Sequence, residues 1–313
     1  MSRQKPPPGT GSLGELALSV LRAQLDALCA HEAGTRAGSD PEELHDMRVA
    51  TRRLRAALKL FADVLPPEAR AFRQELGWVG RGLAAVRDLD VQLSRLHDWR
   101  DTFPESDRSG LDALSNLIAN RRVQARQELL EVLDSERYTR LLATANQLLH
   151  IAQLGDVSGQ VEADSPALIE RPYRKLRKLG DKVDERSAAA ELHALRIRAK
   201  RLRYAVEFVT EVYGRPAQRF VRRVTDLQDL LGDHQDAQVA GDQLRSMVSH
   251  EGANLSDEVV FVMGELAQRY AADARELRSR FQSTYRRATG RRWQKLRQAL
   301  EARQQRPTST SVN

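Results

Sequence analysis

The residues with chemistry to offer in this chain are basic and regularly spaced. His45, Arg48, Arg52, Arg55 and Lys59 follow one another at three or four positions within LHDMRVATRRLRAALKLF. His193, Arg196, Lys200 and Arg203 repeat those offsets within LHALRIRAKRLRYAVEFV, 148 positions further on. On a helix such spacing lines the side chains along one face. Arginine's planar fork takes phosphate oxygens in pairs, and successive forks rise about 5.4 Å per turn, so a linear polyanion can lie along the ladder. Aligned cations repel one another without a ligand, and the first stripe carries no acids at i+4 to offset this. The chemistry indicated is multivalent anion binding.

Catalysis on a phosphate would need a nucleophile or a metal-activated water beside a positioned acid or base. No P-loop, nucleophile elbow, Gly-rich fingerprint, HExxH or HxxxH pair occurs. His45 and His193 sit beside arginines whose charge opposes a bound cation. The expectation is a binding protein with no catalytic residues, metal or cofactor; a phosphohydrolase or phosphotransferase is the alternative. Asp88, Asp233 and Asp236 read as helix caps, and His31, His97, His150 and His250 as surface residues.

The elements that must hold these stripes are amphipathic helices. Met47, Ala50, Leu54, Leu58 and Phe61 gather opposite the first stripe, as do Leu195, Leu202, Val206 and Val209 opposite the second. Arg53 and Arg201 point to a flank, as site edge or as inter-helix ion pairs. Glu207 stands where Lys59 stood and Arg198 lies near the apolar side, which shortens the second stripe. Arg171, Arg174, Lys175 and Lys178, with Arg122 and Arg126, are candidates to widen the patch.

Helical periodicity runs through nearly the whole chain and predicts helices over 13–32, 41–65, 67–85, 88–100, 108–134 and 136–154, then 165–184, 188–213, 216–231, 234–249, 255–288 and 291–303. Aromatics are 5% of residues, and no convincing strand is found. The polar break 155–165 separates six helices from six. Acidic turns at LAAVRDLDVQ and DLLGDHQDAQ occupy matching places in the two halves, which supports one helical unit repeated once. The predicted organisation is therefore an all-α fold with a tail over 1–12, a first repeat over 13–154, a linker over 155–165, a second repeat over 166–303 and a tail over 304–313.

The formal charge of +7 favours acidic partners, among them nucleic acid, phosphate polymers and anionic lipid. Against nucleic acid stand the missing helix-turn-helix, zinc-finger and RNA-binding signatures and the scarcity of aromatics; Tyr173, Tyr204 and Trp293 read as packing residues. Cys29, the single cysteine, reads as a packed thiol on the first helix. Pro6, Pro7 and Pro8 follow Arg3 and Lys5 where a secretory signal would be apolar, and no run reaches about 18 apolar residues, so a cytoplasmic location and no membrane span are expected.

These residues resemble the CHAD family, the conserved histidine α-helical domain. Its first signature appears as His45, Arg48, Val49, Arg52, Arg53, Leu54 and Arg55, and its second as His193, Leu195, Arg196, Ile197, Lys200, Arg201, Leu202, Arg203 and Tyr204. Arg87, Asp88, Asp90 and Val91, and Leu231, Gly232, Asp233 and Asp236, are similar to its acidic turns. The resemblance covers about residues 13 to 300 and implies two similar helical bundles, related by a pseudo-twofold, around a basic groove or pore that binds inorganic polyphosphate. It places His45, Arg48, Arg52, Arg55, His193, Arg196, Lys200 and Arg203 at that site; Lys59 extends the stripe, and Arg53 and Arg201 stand at the site edge or in inter-helix ion pairs. It also implies association with polyphosphate granules. The acidic ExExK signature of the triphosphate-hydrolysing domain fused to some members is absent, so the expectation is the binding module alone. General polyanion or nucleic-acid binding is the competing reading, and polyphosphate hydrolysis or transfer a further one.

Overall fold

The computed structural model describes residues 11–154, 160–251 and 254–305. Its elements are α1 (Leu13–Ala30), α2 (Glu32–Ala37), α3 (Pro41–Leu60), α4 (Glu68–Arg100), α5 (Arg108–Asp134), α6 (Glu136–Leu154), α7 (Val161–Gly180), α8 (Ala189–Glu207), α9 (Thr210–Tyr213), α10 (Arg215–Glu251), α11 (Asp257–Thr289) and α12 (Arg291–Gln304). Among the described residues there is no strand, only an isolated bridge between Ser12 and Gln160. The fold is all-α, as the periodicity predicts. Most of the tails predicted over 1–12 and 304–313, and residues 155–159 of the predicted linker, lie outside the described residues.

Local signals account for the starts of the helices near the site. Ser12 and Glu15 form a reciprocal capping box on α1. Asp40 accepts from the Glu42 N–H at the head of α3, and Pro41 occupies the first turn, where its missing N–H is harmless.

Two predicted helix breaks do not exist. α4 runs unbroken through Arg87 and Asp88, and α10 through Gly232 and His234. The acids there are mid-helix side chains, so Asp88, Asp233 and Asp236 cap nothing. The physical reason is the apolar period: Leu83, Val86 and Leu96 on α4, and Leu227, Leu231 and Ala237 on α10, stay buried across the supposed turns. A lone glycine costs a helix only about 1 kcal/mol, which such packing exceeds. The reverse holds at the predicted helix 188–213, which ends as α8 at Glu207 and resumes as the short α9.

The core falls into three clusters. One joins α1, α3, α4, the end of α5 and α6, and receives Tyr204 from α8 and Phe208 just beyond it. A second joins α7, α8, α10 and α12 with the end of α11. The third lies between the halves, where Leu96, Leu111, Leu114 and Ile118 meet Leu244, Val262, Met263 and Leu266. The halves are thus joined at the far ends of their long helices and again where α3 touches α8. The apolar residues predicted opposite the two stripes are buried. Tyr173 and Trp293 are packing residues as read, stacked with ring centroids 3.6 Å apart. Cys29 is exposed, not packed: Leu25 and Leu28 take the buried face of α1. His31 is half-buried, and its Nδ1 lies 2.8 Å from Glu43 Oε2, tying the α1–α2 junction to α3.

Candidate anion-binding site

The site is built where α3 and α8 meet, with α4 and α10 behind them. Buried leucines anchor the opposite faces of α3 and α8, which sends Arg48 and Arg52 toward Arg196, Lys200 and Arg203. Lys200 feels Arg52, Arg196, Arg48 and Arg203 together. Burial, reinforced by those four guanidinium groups, pushes its ammonium pKa down to about 8. Burial likewise lowers Arg48, with Arg52 adding to the effect and Asp88 opposing it.

Close packing of helix on helix permits this convergence. The Arg196 side chain lies over Gly232 of α10, where an added Cβ would stand 3.3 Å from Nε. Arg55 lies over Gly77 of α4 in the same way, with Nη2 3.1 Å from the place of a Cβ. Any larger residue at either glycine would press on the arginine above it.

Few of the charges are neutralised. Arg48 stands 4.0 Å from Asp88, and Arg203 stands 3.5 Å from Glu207. Asp88, Asp229 and Asp233 form an acidic rim near Arg196. Burial raises the pKa of all three, and for Asp88 and Asp233 the neighbouring Asp236 adds to the rise. Arg52, Arg196 and Arg203 each keep a buried Nε without a hydrogen-bond partner, and His45 and His193 each keep such an Nδ1. Burial lowers the His45 pKa, with Arg87 next in effect. Buried polar atoms left unpaired in this number are costly.

The remaining predicted residues separate. Arg55 joins Arg73 and Arg81 on the α4 side. Arg73 and Arg81 were missed in the sequence, although Arg73, Gly77 and Arg81 at four-residue spacing mark one face of α4. Lys59 and Arg201 line a cleft against α7 together with Arg171, Lys175 and Arg198. Arg53 is an ion-pair residue: it donates to Glu207 at 2.8 Å and its guanidinium lies 5.7 Å from the Tyr204 and Phe208 ring centroids. Arg122 pairs with Asp90, and Arg126 donates to the carbonyls of Thr35 and Arg36, so neither widens the patch. Among the described residues no three His, Cys, Asp or Glu side chains gather so as to hold a metal ion, and no helix is long and apolar enough to cross a membrane.

Comparison with known proteins adds lineage to this geometry. The CHAD domain family matches residues 19–245. The crystal structure of the CHAD domain from the plant Ricinus communis superposes with a TM-score of 0.75 at 30% identity, covering 91% of this chain and 94% of that one. PptA from Streptomyces chartreusis shares the fold, with a TM-score of 0.70 at 19% identity over 88% of this chain and 100% of that one. Uncharacterised proteins from two strains of Mycobacterium tuberculosis are 30% identical over 256 residues, 78% of this chain and 48% of theirs. The chain thus spans about half the length of the curated relatives it matches.

Proposed function

This chain belongs to the CHAD domain family, and we propose that it binds inorganic polyphosphate through Arg48, Arg52, Arg196, Lys200 and Arg203, with His45 and His193 contributing ring nitrogens. One observation carries the reading: five cations from α3 and α8 converge, and burial together with the four arginines pushes the Lys200 pKa down to about 8. Such a group costs stability by itself and regains it when a polyanion enters. Guanidinium and ammonium groups offer donors only, which matches a ligand made almost wholly of acceptors.

The mechanism is multivalent charge pairing. Once one phosphate is held, the next engages at high effective concentration, so affinity rises with chain length until the group is filled. By analogy with counterion release, log K falls with log salt by about one per displaced counterion. The protein acts as a binder, not a hydrolase, and this binding brings it to polyphosphate granules. Base recognition is disfavoured because the aromatic rings beside the group, Tyr204 and Phe208, are 3% and 7% exposed and offer no stacking face.

The test is Arg52→Glu combined with Arg203→Glu, read by titration with long-chain polyphosphate and by circular dichroism. Binding should fall by about a hundredfold or more with helicity kept, since each reversal turns an attraction into a repulsion. A folded double variant that binds normally would show that the site lies elsewhere.

A further inference from the structure

The end of α3 and the facing stretches of α7 and α8 enclose a cleft of about 400 Å³, within the range of small-molecule sites. Its lining is of two kinds. Lys59, Arg171, Lys175, Arg198 and Arg201 supply five cations against one carboxylate, Asp63. Leu60, Leu168 and Pro172 supply an apolar wall. None of the five cations forms an ion pair among the described residues. Burial and the neighbouring Arg201, Arg73, Lys175 and Arg198 lower the Lys59 pKa, which places these charges within reach of one another.

Two further groups on the lining lack their usual partners. Tyr204 is 3% exposed, and its hydroxyl has no hydrogen bond among the described residues. Pro172 lies inside α7 and has no N–H to give the carbonyl of Leu168 one turn earlier, so that carbonyl lacks its regular helical donor.

This combination is not what an inorganic polymer would use. Polyphosphate offers acceptors along its chain and satisfies cations, but it has nothing for an apolar wall or for a carbonyl that lacks its regular helical donor. A phosphate ester whose organic part is flat and carries donors meets all of these. We propose that this cleft is a second site, distinct from the polymer-binding group, for a nucleoside di- or triphosphate: the cations hold the phosphates, Leu60, Leu168 and Pro172 pack on the base, and a ribose hydroxyl donates to the Leu168 carbonyl. Lys59 and Arg201, expected on the polymer site, belong here instead. The proposal does not depend on polyphosphate binding at the central group.

The experiment is calorimetric titration of the full chain with ATP, tripolyphosphate and long-chain polyphosphate at physiological salt. It compares wild type with Arg171→Glu/Lys175→Glu, whose side chains are exposed on α7, and with Arg52→Glu. ATP should bind at least about tenfold more tightly than tripolyphosphate, the gain coming from the apolar wall. The α7 variant should lose at least about tenfold in ATP affinity and leave long-chain polyphosphate binding within about twofold, with Arg52→Glu doing the reverse. No ATP binding up to about 1 mM would overturn the site. Tripolyphosphate binding as tightly as ATP would overturn the ligand class. Equal loss of ATP and long-chain polyphosphate in the α7 variant would make the cleft part of the polymer path and overturn its independence.

Discussion

On the proposed reading, Lys200 should make polyphosphate binding pH-dependent in a range where phosphodiester-like oxygens do not titrate. Its pKa in the free protein is pushed down to about 8 by burial and four arginines. A bound polyanion attracts the charged form, which offsets both the burial and the repulsion and brings the ammonium back toward its ordinary range, about 10.4. Free Lys200 is about nine-tenths charged at pH 7 and one-tenth charged at pH 9, whereas bound Lys200 stays charged at both. Binding at pH 9 must therefore take up nearly one proton, which weakens affinity about tenfold relative to pH 7, or about 1.4 kcal/mol. The assay is calorimetry with long-chain polyphosphate, whose terminal phosphates are a negligible share of its charge. Running it in two buffers of different ionisation enthalpy counts the protons directly. Lys200→Arg should bind with nearly the same strength at pH 7 and lose the pH slope, because a guanidinium does not titrate there. An affinity unchanged from pH 7 to pH 9, or the same slope in Lys200→Arg, would refute the reasoning.

Glu207 holds both Arg53 and Arg203, so Glu207→Gln should strengthen polyphosphate binding by about threefold to fivefold while lowering the melting temperature, measured by titration and thermal denaturation. Leu54→Asp places a carboxylate at a position 2% exposed and should cost several kcal/mol; unchanged thermal stability would contradict the face assignment of α3. His234 is 1% exposed with both ring nitrogens unpartnered, and burial, helped by Arg278, holds its pKa below 6.5. The unfolded chain then takes up a proton before the folded one, so this contribution is complete above about pH 6.5 and is lost as pH falls toward the folded pKa. His234→Leu should flatten that part of the stability profile in denaturant titrations from pH 7 to 5, and an unaltered profile would show that His234 is not the group responsible.

The amphipathic faces of α3 and α8 were legible in sequence because a period of 3.6 residues writes burial directly into residue type. Leu54 and Leu202 declare the core side, and the cationic side follows. What a helical wheel does not contain is which neighbour covers a given angle farther along the helix. Arg52, Arg55 and Lys59 share an arc on α3, yet they meet α8, α4 and the α7 cleft respectively. Arg53 shows the same lesson in reverse, since its partner Glu207 lies 154 positions away and no local pattern joins them. The acidic segments around Asp88 and Asp236 misled because an Asp reads as a cap only where the backbone leaves the helix, and the apolar period runs on through both. Arg73, Gly77 and Arg81 went unread for the opposite reason: their spacing was plain, but nothing in α4 alone says that Arg55 lies above the glycine.

The central claim is that the cations converging from α3 and α8 serve a phosphate polymer. The most direct measurement is a side-by-side titration at physiological salt with long-chain polyphosphate, tripolyphosphate, and single- and double-stranded DNA, read at the central group by the loss of signal in Arg52→Glu/Arg203→Glu. The account predicts affinity that climbs with phosphate chain length, weak binding of both DNAs, and loss of the polymer signal in the variant. DNA binding equal to or tighter than that of long-chain polyphosphate, with the variant affecting both alike, would contradict it.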